Sequence, residues 1–320
     1  MAQSLVAANL RAVDSHGVRL LTDYSLALKT GLIDGTAEGV IENLSGACAT
    51  INGQRGLGQV ISTKACDLAI SLAQDHGVAF VSVFDSSHFG AASYWATHIA
   101  RNGMLGLAFT NASPTVAPWQ GRERRIGTNP ICMALPGDDI WLLDMATTTV
   151  ALNRIWKAAS QGEPTLPAGW AMDAEGVPTT DTQAALAGFP MPLGGYKGSG
   201  LAVMVEILCS VLSGGAIGTE VGGTRVRTRP MLTSHAFIAI QVERFMPLAE
   251  FHQRMLRLRD MIKGVKPAPG YEEVLMAGEP EWRAEKERTA SGIPISPAIW
   301  KELEDLARSL GVQPPVTIME

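Results

Sequence analysis

Apolar positions along the 320-residue chain switch repeatedly between helical and extended spacing. In the first segment, Ala2–Val13, the residues Leu5, Val6, Leu10 and Val13 keep one face of a helix that runs into Asp14-Ser15-His16-Gly17. Arg19 and Tyr24 would lie roughly one and two turns onward if that helix continued. Val60, Ile61, Ala65, Leu68, Ala69, Leu72 and Ala73 hold a helical period up to His76-Gly77, where glycine can supply a left-handed C-terminal residue. The β-branched and aromatic run Val78–Phe84 predicts a strand. Asp85–Gly90 then makes a polar loop opening a helix over Ala91–Arg101, and Met104–Thr110 predicts the next strand. Ile131–Leu135 and Trp141–Leu143 are strand-like, with a helical stretch after Asp144. Gly198-Ser199-Gly200 opens an apolar helix over Leu201–Leu212, Ala236–Val242 is a further apolar strand, and Pro247–Lys263 is helical behind it. From Pro280 onward the tail is charged and helical, interrupted at Gly292–Pro297.

This alternation predicts an α/β fold with helices covering a sheet. No low-complexity linker divides the chain, so the domains are expected to be discontinuous, an N-terminal segment returning to pack with the C-terminal helices. Composition agrees with a soluble globular protein: 46% of residues are hydrophobic and 18% charged, enough for a large core. The net charge of −5 and the scattered basic residues, apart from Arg122, Arg124 and Arg125, offer no footprint for nucleic acid. Leu201–Leu212 is too short for a membrane span and contains Glu206. The N-terminus lacks a basic stretch followed by an apolar one, so a cytoplasmic protein is expected. Cys48, Cys66, Cys132 and Cys209 are far apart in apolar or small-residue surroundings, and are expected to be reduced core residues rather than disulfides or metal ligands.

The common cofactor and nucleophile motifs are missing. There is no G-x-G-x-x-G, since Ile61 and Val203 stand where the third glycine would follow Gly56/Gly58 and Gly198/Gly200. There is likewise no P-loop, H-E-x-x-H or G-x-S-x-G. Several constellations remain. Asp14-Ser15-His16-Gly17 joins a hydroxyl to an imidazole that titrates near neutrality, although Ser15 could simply cap a helix end with His16 on the surface. Asp85–Gly90, with His88, sits at the carboxyl end of a strand and the start of a helix, where free backbone N–H groups favour anions; an N-cap by Ser86 or Ser87 explains it equally well. Gly127-Thr128-Asn129-Pro130 has turn composition. Asp144-Met145-Ala146-Thr147-Thr148 ends a strand with a carboxylate suited to a ribose hydroxyl or to capping a helix. Gly194–Gly200 carries Lys197 among four glycines, either a cation on a closely approachable backbone or a tight packing surface.

Taken in order, DSHGV at 14–18, SHFGAASY at 87–94, PW-x-G-x-E at 118–123, GTNP at 127–130, DMATT at 144–148, the GW-x-x-D-x-x-G-x-P-T-T-D stretch at 169–181 and PLGGYKGSGLA at 192–202 resemble the malate/L-lactate dehydrogenase family of the non-Rossmann type, which also includes sulfolactate and ureidoglycolate dehydrogenases, diketogulonate reductase and cyclic imino-acid reductases. The resemblance spans most of the chain. It implies a mixed sheet covered by helices, a cytoplasmic homodimer, and hydride transfer between NAD or NADP and a small 2-hydroxy or 2-oxo acid, with no metal and no membrane or nucleic-acid partner. It implies a helical, substrate-side and dimerisation region at residues 1–60 with 245–320, and an α/β dinucleotide-binding region at 61–244. By the same resemblance His16 with Ser15 moves the proton, although some members assign that role to the histidine at the His88 position. Arg19, Tyr24 and Thr128 are expected to meet substrate. His88, Phe89, Gly90, Ala91, Ala92, Asp144, Met145, Ala146, Lys197, Gly198, Ala277, Gly278 and Glu279 are expected to bind the dinucleotide.

Several positions depart from the family pattern. Many members carry a carboxylate-binding arginine five residues after the motif serine, where this chain has Leu20, with Arg19 one position early. After DMATT a glycine and then Lys, Glu or Asp is usual, but this chain reads Leu152-Asn153-Arg154, which makes a cyclic imino acid the lesser alternative. Ala277-Gly278-Glu279 stands for the usual Pro-Gly-Glu, and the motifs begin soon after Met1, without the leading helical segment of most members. These departures leave a non-catalytic dinucleotide-binding protein as a rival, and a Ser–His hydrolase as a more distant one.

Overall fold

A computed structural model describes residues 1–137, 141–224 and 226–314. Helix α1 (Ala2–Leu10) stops three residues short of its apolar pattern, because the chain turns at Ala12 with φ +59°. Two single 3-10 turns, Asp14–His16 and Val18–Leu20, replace the continuing helix before α2 (Leu21–Lys29) starts afresh. A hairpin absent from the sequence reading follows, β1 (Val40–Ser45) and β2 (Cys48–Asn52). Then come α3 (Gly58–His76), β3 (Val78–Ser86), α4 (Ala92–Ala100) and β4 (Met104–Thr110), close to their expected limits. Gly77 takes φ +87° at the end of α3, as its position predicts.

Strands β5 (Ile131–Ala134) and β6 (Leu142–Met145) lead to α5 (Leu152–Ser160), and a small annex of β7 (Ala171–Met172), β8 (Pro178–Thr179), α6 (Thr182–Ala187) and β9 (Phe189–Pro190) closes around Ile155, Leu166 and Ala171. Helix α7 (Tyr196–Glu206) begins five residues before the expected Leu201 and continues as a π turn over Ile207–Val211. The glycines are therefore its first turn rather than a loop before it. A Cβ on Gly198 would lie 2.5 Å from the Thr147 carbonyl oxygen, so backbone packs directly on backbone. The chain ends with β10 (Thr233–Gln241), α8 (Leu248–Lys263), α9 (Glu279–Ser291) and α10 (Pro297–Ser309).

The main sheet is mixed, in the order β1-β2-β3-β10-β4-β5-β6. Strand β10 runs antiparallel between β3 and β4, pairing Phe237 with Val81 on one side and with Ala108 on the other. β5 is antiparallel to β4, and β6 to β5. Consequently the ends of β3, β4 and β6 and the starts of β5 and β10 all reach one edge, where Ser86 pairs with Thr233, His235 with Thr110, and Ile131 with both Phe109 and Met145.

Helices α3 and α4 cover one face of this sheet over a core of Ile51, Ile61, Val81, Trp95, Ile99 and Phe237. α7 and its π turn cover the other through Phe109, Val205, Cys209 and Ala236. The N-terminal turns pack Leu5, Leu20, Tyr24 and Ile33 together with Met231. α1 meets α9, with Arg11 Nε 2.8 Å from Glu285 and Arg288 Nη1 2.7 Å from Asp14. Cys66, Cys132 and Cys209 are buried as free thiols; Cys48 departs from the expectation and is exposed, because the alternation of β2 turns it outward beside the hairpin turn. Among the described residues no helix is long and apolar enough to cross a membrane.

Gly106 in β4 marks a tight contact between the main sheet and α4, since a Cβ there would run into the Ala96 carbonyl oxygen of α4 and lie 2.8 Å from Ile99 Cβ. Gly106→Ala is expected to destabilise the protein by about 1–3 kcal/mol through overpacking. The midpoint of urea unfolding, at an unchanged slope, measures it.

Candidate active site

The sheet edge where five strand ends converge opens into a cleft of about 460 Å³, within the range of small-ligand sites. Most of its wall comes from segments that leave or enter the sheet: His88 and Gly90–Ala92 after β3, Ala112 and Ser113 after β4, Thr128 before β5, Asp144 and Ala146 at the end of β6, Met231 before β10 and Thr233 at its start. Ser15 and His16 close it from the first 3-10 turn, and Ala277 and Gly278 from the start of α9.

Ser15 Oγ lies 2.9 Å from His16 Nδ1, so the hydroxyl turns the imidazole into the cleft instead of capping a helix. Gly17 permits this turn to sit on Asn9, whose amide Nδ2 would be 2.5 Å from a Cβ at position 17. That amide holds the turn at both ends, accepting from the Val18 N–H at 2.8 Å and donating to Asp14 at 2.6 Å. Opposite, the His88 ring lies nearly parallel to His16, with centroids 5.6 Å apart and planes 13° apart. His88 Nδ1 is 2.6 Å from the hydroxyl of Tyr24 and accepts from the Gly90 N–H at 3.3 Å.

Both imidazoles are held below the usual histidine range. Burial lowers His88 to about 3, helped by the neighbouring His16 and His235. Burial also lowers His16; the carboxylate of Asp144 pulls the other way, and the Arg19 guanidinium adds a smaller push down. Both rings are therefore neutral near pH 7. Asp144 accepts from the Ser93 N–H at 2.8 Å, so the carboxylate caps the start of α4, a helix distant in sequence, while lining the cleft. Thr128 is tied to the following motif through its carbonyl oxygen, which accepts from the N–H and the hydroxyl of Thr147, each at 2.9 Å.

Of the sequence-proposed residues, Ser15, His16, His88, Gly90, Ala91, Ala92, Thr128, Asp144, Ala146, Ala277 and Gly278 are thus brought together. Others are not among the lining residues. Arg19 donates to the Ser15 carbonyl oxygen at 2.9 Å and lines a separate groove beside α10, because the 3-10 turns rotate it away from Ser15 and His16. Tyr24 is fully buried behind His88. Phe89 is core, stacked on His235 at 4.5 Å. Met145 falls on the alternate face of β6, Lys197 is exposed on the first turn of α7, and Gly198 packs beneath it. Glu279 is paired with Lys263 at 2.7 Å. Ser87 is neither a cap of α4 nor a nucleophile: buried, it accepts from Gly58 N–H at 2.8 Å and donates to the Gly56 carbonyl oxygen at 2.9 Å.

Sequence reasoning gave no site role to His235, Asn111, Asn153, Trp156 or Glu206. Asn153 and Trp156 line the cleft from α5. His235 lies under Phe89, its Nδ1 2.8 Å from the Thr110 hydroxyl; a histidine opening an apolar strand was the available signal. Glu206, buried in α7, accepts from the amides of Asn129 at 3.1 Å and Asn111 at 3.4 Å, and so anchors the loop that carries Thr128. Nothing local in an apolar helix announces that role. Among the described residues no group of three His, Cys, Asp or Glu side chains could hold a metal ion.

A profile of the malate/L-lactate dehydrogenase family matches residues 1–304. The chain is 37% identical to a malate dehydrogenase of Pyrococcus abyssi over 322 aligned positions, covering 98% of this chain and 88% of that one. It is 38% identical to an L-sulfolactate dehydrogenase of Methanocaldococcus jannaschii, covering 97% and 90%. The solved structure of a sulfolactate dehydrogenase from that organism superposes with a TM-score of 0.91 at 38% identity, over 97% of this chain and 89% of that one.

The buried neutral histidines impose a pH dependence on stability. His235, like His88, is lowered to about 3 by burial, whereas the unfolded chain binds a proton near 6.5. Between those values the unfolded state holds more protons, so stability falls as pH drops below about 6.5, by up to about 1.4 kcal/mol per pH unit for each histidine. In urea titrations from pH 8 to 5, His235→Asn is expected to be less stable at pH 8 but to show a shallower acid slope by about one proton. An unchanged slope would mean that His235 is not kept neutral.

Proposed function

The chain belongs to the malate/L-lactate dehydrogenase family, and we propose that its cleft transfers a hydride between NAD or NADP and a small 2-hydroxy or 2-oxo acid. The activity is that of an oxidoreductase acting on the CH–OH group of a hydroxy acid. The observation that carries the site assignment is the Ser15–His16 contact at 2.9 Å facing His88 across the cleft. When a hydride leaves the carbon of a secondary alcohol, the hydroxyl proton must leave with it. Neutral His16 is the base within the cleft, and Ser15 Oγ, accepting from Nδ1–H, leaves the Nε2 lone pair for the substrate hydroxyl. In the reverse direction the same nitrogen returns the proton to the alkoxide oxygen.

The lining fits a dinucleotide. Gly90, Ala91 and Ala92 offer a low wall at the start of α4, Gly222 and Gly223 a second backbone surface, and Asp144 and Thr128 polar groups between them. Bound there, the nicotinamide supplies the hydride acceptor or donor. Ala146, Ala277 and Gly278 complete the surface we assign to it, whereas Phe89, Met145, Lys197, Gly198 and Glu279 support that surface or lie outside it.

We further propose a homodimer. Val203, Met204, Ile207, Val211 and Leu212 follow one another along α7 and its π turn, each between 37% and 61% exposed, an apolar stripe suited to a second copy.

Two outcomes are expected. His16→Ala lowers kcat by about 10²–10⁴-fold while the dissociation constant for NADH or NADPH, read by fluorescence, stays within twofold; unchanged turnover would remove His16 from the proton transfer. Ile207→Glu combined with Val211→Glu shifts the mass measured by light scattering from dimer to monomer. A wild-type monomer would refute the dimer directly.

A further inference from the structure

The two imidazoles of the cleft are held differently, and the difference divides their labour. His88 Nδ1 faces two donors. The Gly90 N–H, which can only donate, points at it from 3.3 Å, and the Tyr24 hydroxyl lies at 2.6 Å. The tyrosine has its own hydrogen to give, because the Gln59 side chain and, less closely, the Gly90 amide approach its oxygen. A nitrogen that accepts from two sides carries no proton, so the hydrogen of neutral His88 sits on Nε2. That nitrogen has no partner among the described residues and is not enclosed by protein, since the largely buried ring shows one edge to the cleft.

Resting on the hydride-transfer reading above, we propose that His88 is a permanent Nε2–H donor to the substrate oxygen, and that Tyr24 is the positioning residue that locks this tautomer together with the Gly90 amide. The proton that moves is then left to His16. His88 cannot take it on Nδ1, which is saturated, nor on Nε2, which already bears hydrogen. The arrangement suits charge developing on oxygen: a neutral, preorganised donor stabilises an alkoxide without competing for its proton. Tyr24 is built for the part. It is fully buried among Leu5, Leu20, Ile33 and Met231, so its ring holds the hydroxyl oxygen in one place, and burial pushes its own ionisation far above neutral pH. The titratable groups acting on the pair are His16 and His235 on His88 and Asp23 on Tyr24, while Asp144 and Arg19 act on His16. Gly90 belongs to the lock through its backbone, at φ +87° where a side chain would be strained.

The test is the 15N spectrum of His88 in the free protein, labelled on histidine and assigned with His88→Gln. At pH 7 the expected pattern is protonated Nε2 and unprotonated Nδ1, unchanged down to pH 5. Tyr24→Phe, which keeps the packing volume, is expected to mix in the other tautomer and to lower kcat by about 10-fold, the scale of one hydrogen bond, with KM for the dinucleotide unmoved. His88→Gln, which retains an N–H donor but cannot exchange a proton near neutrality, is expected to keep at least 10-fold more activity than His88→Ala. A Nδ1–H or doubly protonated His88 at pH 7, a wild-type tautomer in Tyr24→Phe, or a His88→Gln as inactive as His88→Ala would overturn the proposal. The spectrum is read without substrate, so it is independent of the hydride-transfer reading, which would instead fall if the wild-type protein turned over no 2-hydroxy or 2-oxo acid with either dinucleotide.

Discussion

Strand β10 is the constraint on which the rest of the molecule depends. It enters the sheet antiparallel between β3 and β4, and hydrogen bonds both of them along most of its length. A strand arriving from more than a hundred residues downstream thereby fills the gap that a simple β3-α4-β4 unit would have closed on itself. Without it, β3 and β4 would have unpaired backbone toward each other inside a covered sheet, at a cost no side chain could offset. With it, the loop after β3, the loop after β4 and the segment before β10 are forced to one edge, and β5 and β6 bring theirs to the same place through successive antiparallel pairings.

That edge explains the electrostatics of the cleft. Its histidines come from unrelated elements, His16 from a 3-10 turn, His88 from a loop and His235 from β10, yet they form two stacked pairs, His16 on His88 and Phe89 on His235, with interplanar angles of 13° and 10°. For His88 and His235, packed this closely against core, taking up a proton would bring charge into an apolar region, whereas at His16 the Asp144 carboxylate offsets part of that cost. The site is accordingly built from neutral groups with directed hydrogen bonds, and Asp144 is the carboxylate whose field acts on His16. Its supports lie one layer behind. Asn9 fixes the Ser15–His16 turn, Tyr24 and Gly90 fix His88, Asn129 and Glu206 fix the loop of Thr128, and the Ser93 amide fixes Asp144.

The family membership and the departures from its pattern fit together in this light. Arg19, one position early, does not reach the cleft; it holds the Ser15 carbonyl oxygen and thus steadies the turn from outside. The glycine-rich run around Lys197 serves the approach of α7 to the backbone at Thr147 and Leu193. Residues that a motif groups together can therefore divide into those that line a site and those that let it close.

Much of the fold was legible in the chain itself. Periodicity located α3, β3, α4 and β4 to within a residue or two, because each buries one regular face and ends on a glycine or a polar cluster, and it located α8 as closely although none of its residues is fully buried. Motif order revealed the family, and the residue types of DSHG and SHFG announced acid–base chemistry. The hairpin β1–β2 escaped because β1 is exposed along its whole length and so carries no apolar alternation. The early start of α7 escaped because glycine has low helix propensity, which only the close backbone contact at Gly198 overrides. What the local pattern could not contain was which residues face one another. Tyr24 and His88 are sixty-four positions apart, and Thr110 and His235 are one hundred and twenty-five apart. Whether such groups line a cleft, support it or miss it depends on strand order and register, which arise from long-range backbone hydrogen bonding and not from the neighbours of any residue in sequence.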